Sequence, residues 1–240
     1  MAKALTHVFD CDGVIIASNG VKADAFYRAA LPYGEGPASQ LREYHRMAGN
    51  ASRRERLEHF FARILSREPD EGELDALYER VGVEVVAGVL AAPLVPGIEA
   101  FLERLEGRAV CVSGVVTDEL RHILKERGLL QHFAHVYGGP RRKAEILRLA
   151  IGRERIALPA VYYGDTADDH AAAEANGLGF VFVTCNADST SWAPRNVRRI
   201  VDFTPAAPTR VALVDRHGYV DVDGERRYVS RNLAGARVQV

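Results

Sequence analysis

The chain has 240 residues, 48% of them hydrophobic, and its 31 Lys and Arg against 32 Asp and Glu leave a formal net charge of -1. That composition supports one sizeable core with room for a smaller subdomain and excludes a disordered or collagen-like chain. With no overall field to draw in nucleic acid or an anionic membrane, chemistry on a small molecule is the expected role.

The N-terminus enters an apolar strand with no long apolar leader, and the longest apolar run elsewhere, Val85 to Val95, is too short to span a bilayer. A cytoplasmic protein without a membrane partner is expected. The first strand, Thr6 to Phe9, runs into Asp10-Cys11-Asp12-Gly13-Val14. Alternation along a strand sends Asp10 and Asp12 one way and Cys11 the other, and Gly13 lets the chain turn away. The carboxyl end of a strand is where open α/β sheets bind ligands. An isolated Asp-x-Asp is more often a loop with two solvated acids, so its meaning depends on the other strand ends.

From residue 18 to 94 the periods are helical, the clearest placing Leu57, Phe60, Phe61, Ile64 and Leu65 on one face, with Ser52 and Glu55 spaced as a capping box. Pro93, Pro96 and Gly97 suit a hinge, and Ile98, Phe101, Leu102 and Leu105 mark another amphipathic helix. A second strand, Ala109 to Val112, leads to Ser113-Gly114, a hydroxyl and backbone N–H groups fit to cradle phosphate oxygens. His132 and His135 share a helical spacing but lack a third zinc-type ligand and read as surface residues of a turn. After a Gly-Gly-Pro turn, Lys143 opens a helix to Ile151, where cation and helix N-terminus both favour an anion.

Val161 to Tyr163 ends in Gly164-Asp165-Thr166-Ala167-Asp168-Asp169, and Phe180 to Thr184 is a further strand. Arg141, Arg142 and the run Arg195 to Arg199 lack interleaved aromatic platforms and read as solvated. Cys11, Cys111 and Cys185 lie in or beside apolar runs and read as buried free thiols. Strands alternating with helices predict an α/β fold with a doubly wound parallel sheet. Beyond Phe203, the runs Val211 to Val214, Tyr219 to Val222 and Arg227 to Val229 around Asp223-Gly224 predict an appended β-meander, an edge cover or a homo-oligomer contact.

Asp10-x-Asp12-Gly13-Val14, Ser113, Lys143 and Gly164-Asp165-x-x-x-Asp169 resemble, in order, the four motifs of the haloacid dehalogenase superfamily. The resemblance covers residues 1 to about 203 and implies a Rossmann-like catalytic core over residues 1–17 and 95–203, a helical cap over 18–94 and a β-rich extension over 204–240. The cap's position is that of the phosphoglycolate phosphatase and β-phosphoglucomutase branch. Like charges about 4 Å apart repel by roughly 4 kcal/mol at a protein-like dielectric, so a phosphate among aspartates needs a cation.

The resemblance implies Mg2+, held by Asp10, the backbone carbonyl of Asp12 and Asp165, with Asp169 a direct ligand or one acting through another group. Asp10 would attack phosphorus, Asp12 would serve as acid and then base, and Lys143 would neutralise remaining charge. Asp168 competes with Asp169, and Arg142 with Lys143, for these places; the family spacing selects Asp169 and Lys143. Asp12 also favours phosphoryl transfer over dehalogenation, because a halide leaves without a proton.

In the cap, Lys22 stands where β-phosphoglucomutase would have a histidine, which counts against a mutase; Lys22 is a candidate substrate contact there, with a solvated helix charge as the alternative. Ser52-Arg53-Arg54-Glu55 falls at that branch's Ser-Arg-x-Glu loop. Arg53 is the candidate there for gripping a second anionic or hydroxyl-rich part of a substrate, and equally a solvated helix charge; Arg54 reads as solvated. The segments Asp12 to Asn19, with Lys22 and Phe26, and Ser52 to Phe61 also resemble uncharacterised family members associated with surface-sugar and nucleotide-sugar pathways. A phosphatase acting on a sugar phosphate is therefore expected, with a sugar phosphomutase as the alternative enzyme and a catalytically silent interaction protein as the alternative of another class.

Overall fold

All four residues of Thr6–Phe9 (β1) are buried, as expected of a strand covered on both faces, and β1 lies inside the sheet rather than at its edge. The computed structural model describes residues 5–48, 51–187, 189–205, 211–213, 215–217, 219–222, 225–228 and 237–239. Five further strands, Arg108–Val116 (β2), His135–Gly139 (β3), Ala160–Gly164 (β4), Gly179–Val183 (β5) and Arg198–Ile200 (β6), complete a parallel sheet of order β3-β2-β1-β4-β5-β6.

Side-chain alternation divides the core between the two faces. Phe9, Cys11, Cys111 and Tyr163 join one cluster, with Ile98 and Leu102 of Ile98–Glu103 and Leu120 and Ile123 of Thr117–Glu126. Val8, Val110, Val112 and Tyr162 join the other, with Ile146 and Leu147 of Lys143–Gly152 and Ala172 and Ala173 of Ala167–Glu174. This is the expected doubly wound α/β arrangement. Phe9 stacks on Tyr163 with ring centroids 4.7 Å apart. Truncating such a buried ring typically costs about 3–5 kcal/mol.

Between β1 and β2 the described chain is helical: Val21–Ala30 (α1), Glu35–Met47 (α2), Arg53–His59 (α3) continued by a π-helical turn Phe60–Ile64, and Glu73–Ala91 (α4). The helices named above are then α5 (Ile98–Glu103), α6 (Thr117–Glu126), α7 (Lys143–Gly152) and α8 (Ala167–Glu174). Ser52 and Glu55 form the predicted capping box at the start of α3. The chain leaves and re-enters the sheet region side by side, with Ile16 bridged to Leu94, the Ala17 N–H donating to Pro93 and the Val95 N–H donating to Ile15. No described helix is long and apolar enough to cross a membrane.

Some sequence expectations are corrected. β3 and β6 are edge strands that carry few apolar residues, so hydrophobic pattern reveals neither; Arg198 and Arg199 of the predicted solvated cluster lie on β6, where edge cations discourage strand addition. Of the two histidines expected in a turn, His132 closes a 3-10 turn, whereas His135 opens β3. Cys11 and Cys111 are buried, but Cys185 is exposed because it follows β5 beyond the sheet.

Residues Thr204–Val240 form a compact unit of their own. Its described residues hold two antiparallel pairs: Val211–Leu213 (β7) with Arg237–Gln239 (β10), and Tyr219–Val222 (β8) with Glu225–Tyr228 (β9). The Asp223-Gly224 turn lies outside the described residues.

Candidate active site

The carboxyl ends of β1, β2 and β4 and the start of α7 converge on one acidic centre. Asp10 follows β1, and Asp165 follows β4, the parallel neighbour of β1. Asp169 sits in the first turn of α8, where Thr166 caps the helix and Asp169 returns the capping-box bond. These three buried carboxylates each place an oxygen within 4.8 Å of the others. Lys143 reaches them from the N-terminus of α7, its Nζ 2.7 Å from Asp10 Oδ2 and 2.7 Å from Asp169 Oδ1.

Asp12 faces the same chamber with a different set of contacts. Its carboxylate accepts from Lys22 Nζ at 2.5 Å, Ser18 Oγ at 2.7 Å and Ser113 Oγ at 3.3 Å. Asp10 and Asp12 both line one chamber of about 540 Å3, which Ser18, Asn19, Lys22, His45, Gly114 and Asp168 also line. Asp168 reaches only this rim, and Asp169 occupies the cluster. Residues that the sequence reading gave no role complete the support: Asn19 donates to Asp165 Oδ2 at 2.6 Å and also to the Asn186 carbonyl. The Thr166-x-x-Asp169 spacing was the legible sign of the α8 cap; Ser18 and Asn19 carried none beyond proximity to the first acids.

The close approach of β1 and β4 explains Gly13. Its φ is +77°, and a Cβ there would lie 2.1 Å from Asp165 Oδ2. Gly13→Ala is expected to destabilise the protein by at least about 1–2 kcal/mol from the left-handed backbone alone, read as a lowered Tm; an unchanged Tm would show that the loop relaxes freely.

The electrostatics divide the acids. Burial, offset in part by Lys143 but reinforced by Asp169 and Asp12, raises the Asp10 carboxyl to about 7. Burial, with Asp10 and Asp169 as like charges, raises Asp165 to about 8. Burial acts the same way on Asp12, but Lys22 and Ser18 override it and hold that carboxyl below its usual value. Asp169 is likewise held low against burial by Lys143, Thr166 and Tyr162. Three carboxylates around one ammonium leave a deficit of positive charge, and the donors are all hard oxygens. The set therefore fits a divalent oxygen-loving cation at Asp10, Asp165 and Asp169.

A second chamber of about 690 Å3 adjoins the first, sharing Lys22, His45, Gly114 and Lys143. Among the described residues its lining adds the cations Arg53, Arg54, Arg56, Arg141 and Arg142, of which Arg53, Arg54 and Arg141 pair with Glu119, Asp75 and Glu145. Arg54 is exposed and pairs with Asp75 at 2.6 Å, and Arg142 lies at the chamber wall while Lys143 reaches the acids. Arg53 lines the chamber with both terminal nitrogens committed to Glu119.

A buried acidic cluster able to hold a cation at the carboxyl ends of a doubly wound parallel sheet defines an α/β protein whose ligand site lies at that rim. The sequence pattern of the haloacid dehalogenase-like hydrolases matches residues 6–177, and the chain belongs to that family. No curated protein sequence matches it. Among solved structures, CbbY from Rhodobacter sphaeroides, in complex with phosphate, is similar at 19% identity and TM-score 0.64, over 83% of this chain and 95% of that one. The hydrolase YfnB from Bacillus subtilis, bound to magnesium, gives 16% and 0.63 over 83% and 95%. A predicted phosphoglycolate phosphatase from Haemophilus somnus gives 20% and 0.63 over 85% and 96%. At these identities the likeness is one of fold.

Proposed function

We propose that this hydrolase is a phosphomonoesterase of the phosphoglycolate phosphatase and β-phosphoglucomutase branch. Its substrate is a small phosphorylated metabolite, a sugar phosphate or a similarly hydroxylated ester, its cofactor is Mg2+, and its setting is the cytoplasm. The observation that carries the reading is the meeting of Asp10, Asp165 and Asp169 within 4.8 Å around Lys143, beside a separately paired Asp12. The phosphate and magnesium bound by the structurally similar CbbY and YfnB accord with it.

In this reading Asp10 Oδ attacks phosphorus as the ester P–O bond breaks, and the departing oxygen takes a proton from Asp12. Water then attacks the aspartyl phosphate, its proton passes to Asp12, and the P–O bond to Asp10 breaks. Asp12 is anionic in the structure because of Lys22. An arriving phosphate would raise the Asp12 carboxyl directly as a like charge, and again by drawing the Lys22 ammonium to its own oxygens. Ser113 Oγ, the backbone at Gly114 and Lys143 would hold the remaining phosphate oxygens. The ion would be held by Asp10, Asp165 and the Asp12 carbonyl. Asp169 accepts from Lys143 Nζ, Tyr162 OH, the Thr166 hydroxyl and the N–H groups of Asp165 and Thr166, and would chiefly orient the others. Bound Mg2+ would supply charge neutralisation and alignment of the phosphoryl group.

Release of free phosphate from a panel of sugar phosphates, without formation of an isomeric sugar phosphate, is the expected result; isomer formation would replace the phosphatase with a mutase. EDTA should abolish turnover and Mg2+ should restore it, and chelator-insensitive activity would remove the metal.

The pH dependence has a defined sign. Folded Asp10 and Asp165 titrate near 7 and 8, above their ordinary value of 3.8. Over that window the unfolded chain binds fewer protons, so these groups lower the stability of the metal-free protein as pH rises from about 4 to 8. Mg2+ should flatten this fall, and Tm scans with EDTA or Mg2+ check it; identical pH profiles would contradict metal binding at these carboxyls.

A further inference from the structure

Arg53 on α3 and Glu119 in the first turn of α6 join the helical insertion to the helices that cover the sheet. Arg53 Nη1 donates to Glu119 Oε1 at 2.8 Å and Nη2 to Oε2 at 2.6 Å, a bidentate pair with side chains only 12% and 21% exposed. The guanidinium lies over the Tyr78 ring, 4.8 Å from its centroid. One helical turn further along α4 is Gly82, where a Cβ would stand 2.8 Å from both Arg53 Nη1 and Glu119 Oε1. A glycine inside a helix costs about 1 kcal/mol relative to alanine, and here it lets the ion pair lie against bare backbone. Glu119 also sits at the end of α6 where the helix dipole favours a carboxylate.

The joint has a particular place. α6 directly follows β2, which carries Ser113 and Gly114, and α3 supplies wall to the chamber that Lys22 and Lys143 share. Planar two-bond geometry fixes relative orientation as well as distance, which a single-point lysine contact would not. We propose that Arg53 and Glu119 are positioning residues whose pairing, seated on Tyr78 and Gly82, sets the helical insertion over the active site. Arg53 then serves the substrate indirectly rather than by gripping it. This assignment rests on the phosphatase reading only for its kinetic readout.

The test uses the full-length protein with p-nitrophenyl phosphate and Mg2+. Arg53→Ala and Glu119→Ala should each raise KM about tenfold while kcat stays within about threefold, and the double variant should be no worse than either single one, because both remove the same contact. The reversed pair Arg53→Glu with Glu119→Arg should recover most of the loss. A direct substrate grip by Arg53 predicts otherwise: Glu119→Ala nearly silent, no rescue by reversal, and this minimal substrate spared by Arg53→Ala. Any of these results overturns the proposal.

Limited chymotrypsin digestion, whose aromatic and leucine sites none of these substitutions adds or removes, supplies a readout that needs no turnover. Cleavage within the helical insertion should speed up in both single variants and return to the wild-type rate in the reversed pair. If the wild-type chain releases no phosphate, the phosphatase reading fails while digestion still decides the joint; unchanged digestion of the single variants sinks it.

Discussion

Asp10→Asn should give a folded protein that releases phosphate at least about 10⁴-fold more slowly than the wild type, the scale on which loss of a covalent nucleophile is felt. The amide keeps the size and shape of the carboxyl but cannot form the aspartyl phosphate. Among the described residues no other carboxylate of the chamber takes its place: Asp165 is bonded to Asn19, Asp12 is held by Lys22, Ser18 and Ser113, and Asp168 lies at the rim. The fold should tolerate the change, because one like charge leaves the crowded set with Asp165 and Asp169 while Lys143 keeps its contact with Asp169. Phosphate release in the presence of Mg2+, together with a thermal unfolding curve, measures both halves. Activity within tenfold of wild type would remove Asp10 as nucleophile.

Lys143→Met is expected to have the largest effect on stability. Lys143 is the cation in contact with both Asp10 and Asp169, and removing one member of a buried ion pair typically costs about 3–5 kcal/mol, because a charge is left without compensation. For a chain of this size that corresponds to a fall in Tm on the order of 10 °C. The difference should be largest in EDTA and smaller with Mg2+, which can take over part of the neutralisation. It should also narrow in acid. Folded Asp169 titrates below its ordinary 3.8 in the wild type, so the stability that Lys143 confers through it is present above that value and fades as pH falls through the folded one. A variant as stable as wild type in EDTA at neutral pH would show that Asp10 and Asp169 do not depend on Lys143.

The candidate site was legible where chemistry is local to a few residues. Asp10-x-Asp12, Ser113 and Gly164-Asp165-x-x-x-Asp169 each end or adjoin an apolar strand and Lys143 opens a helix after a Gly-Gly-Pro turn, and strand alternation with helical spacing aims them at one rim. Partner assignment was not legible. The same alternation treats Asp10 and Asp12 alike, yet one is raised by burial among acids and the other lowered by Lys22, a residue ten positions away. Arg53 shows the same limit: a cation at a helix start suits a ligand, a solvent contact or a carboxylate elsewhere, and only the packing of α4 against α6 puts Glu119 in front of it.

By itself, then, the order of apolar strands, helical periods and acidic strand ends determined an α/β chain with a helical insertion and acidic groups at its strand ends, because these properties follow from backbone periodicity and side-chain type. The edge strands β3 and β6, the pairing of β7 with β10, the opposed charge states of Asp10 and Asp12 and the joining of Arg53 to Glu119 were decided by tertiary structure. Each depends on which distant group comes within a few ångströms, and burial then sets how strongly that group is felt.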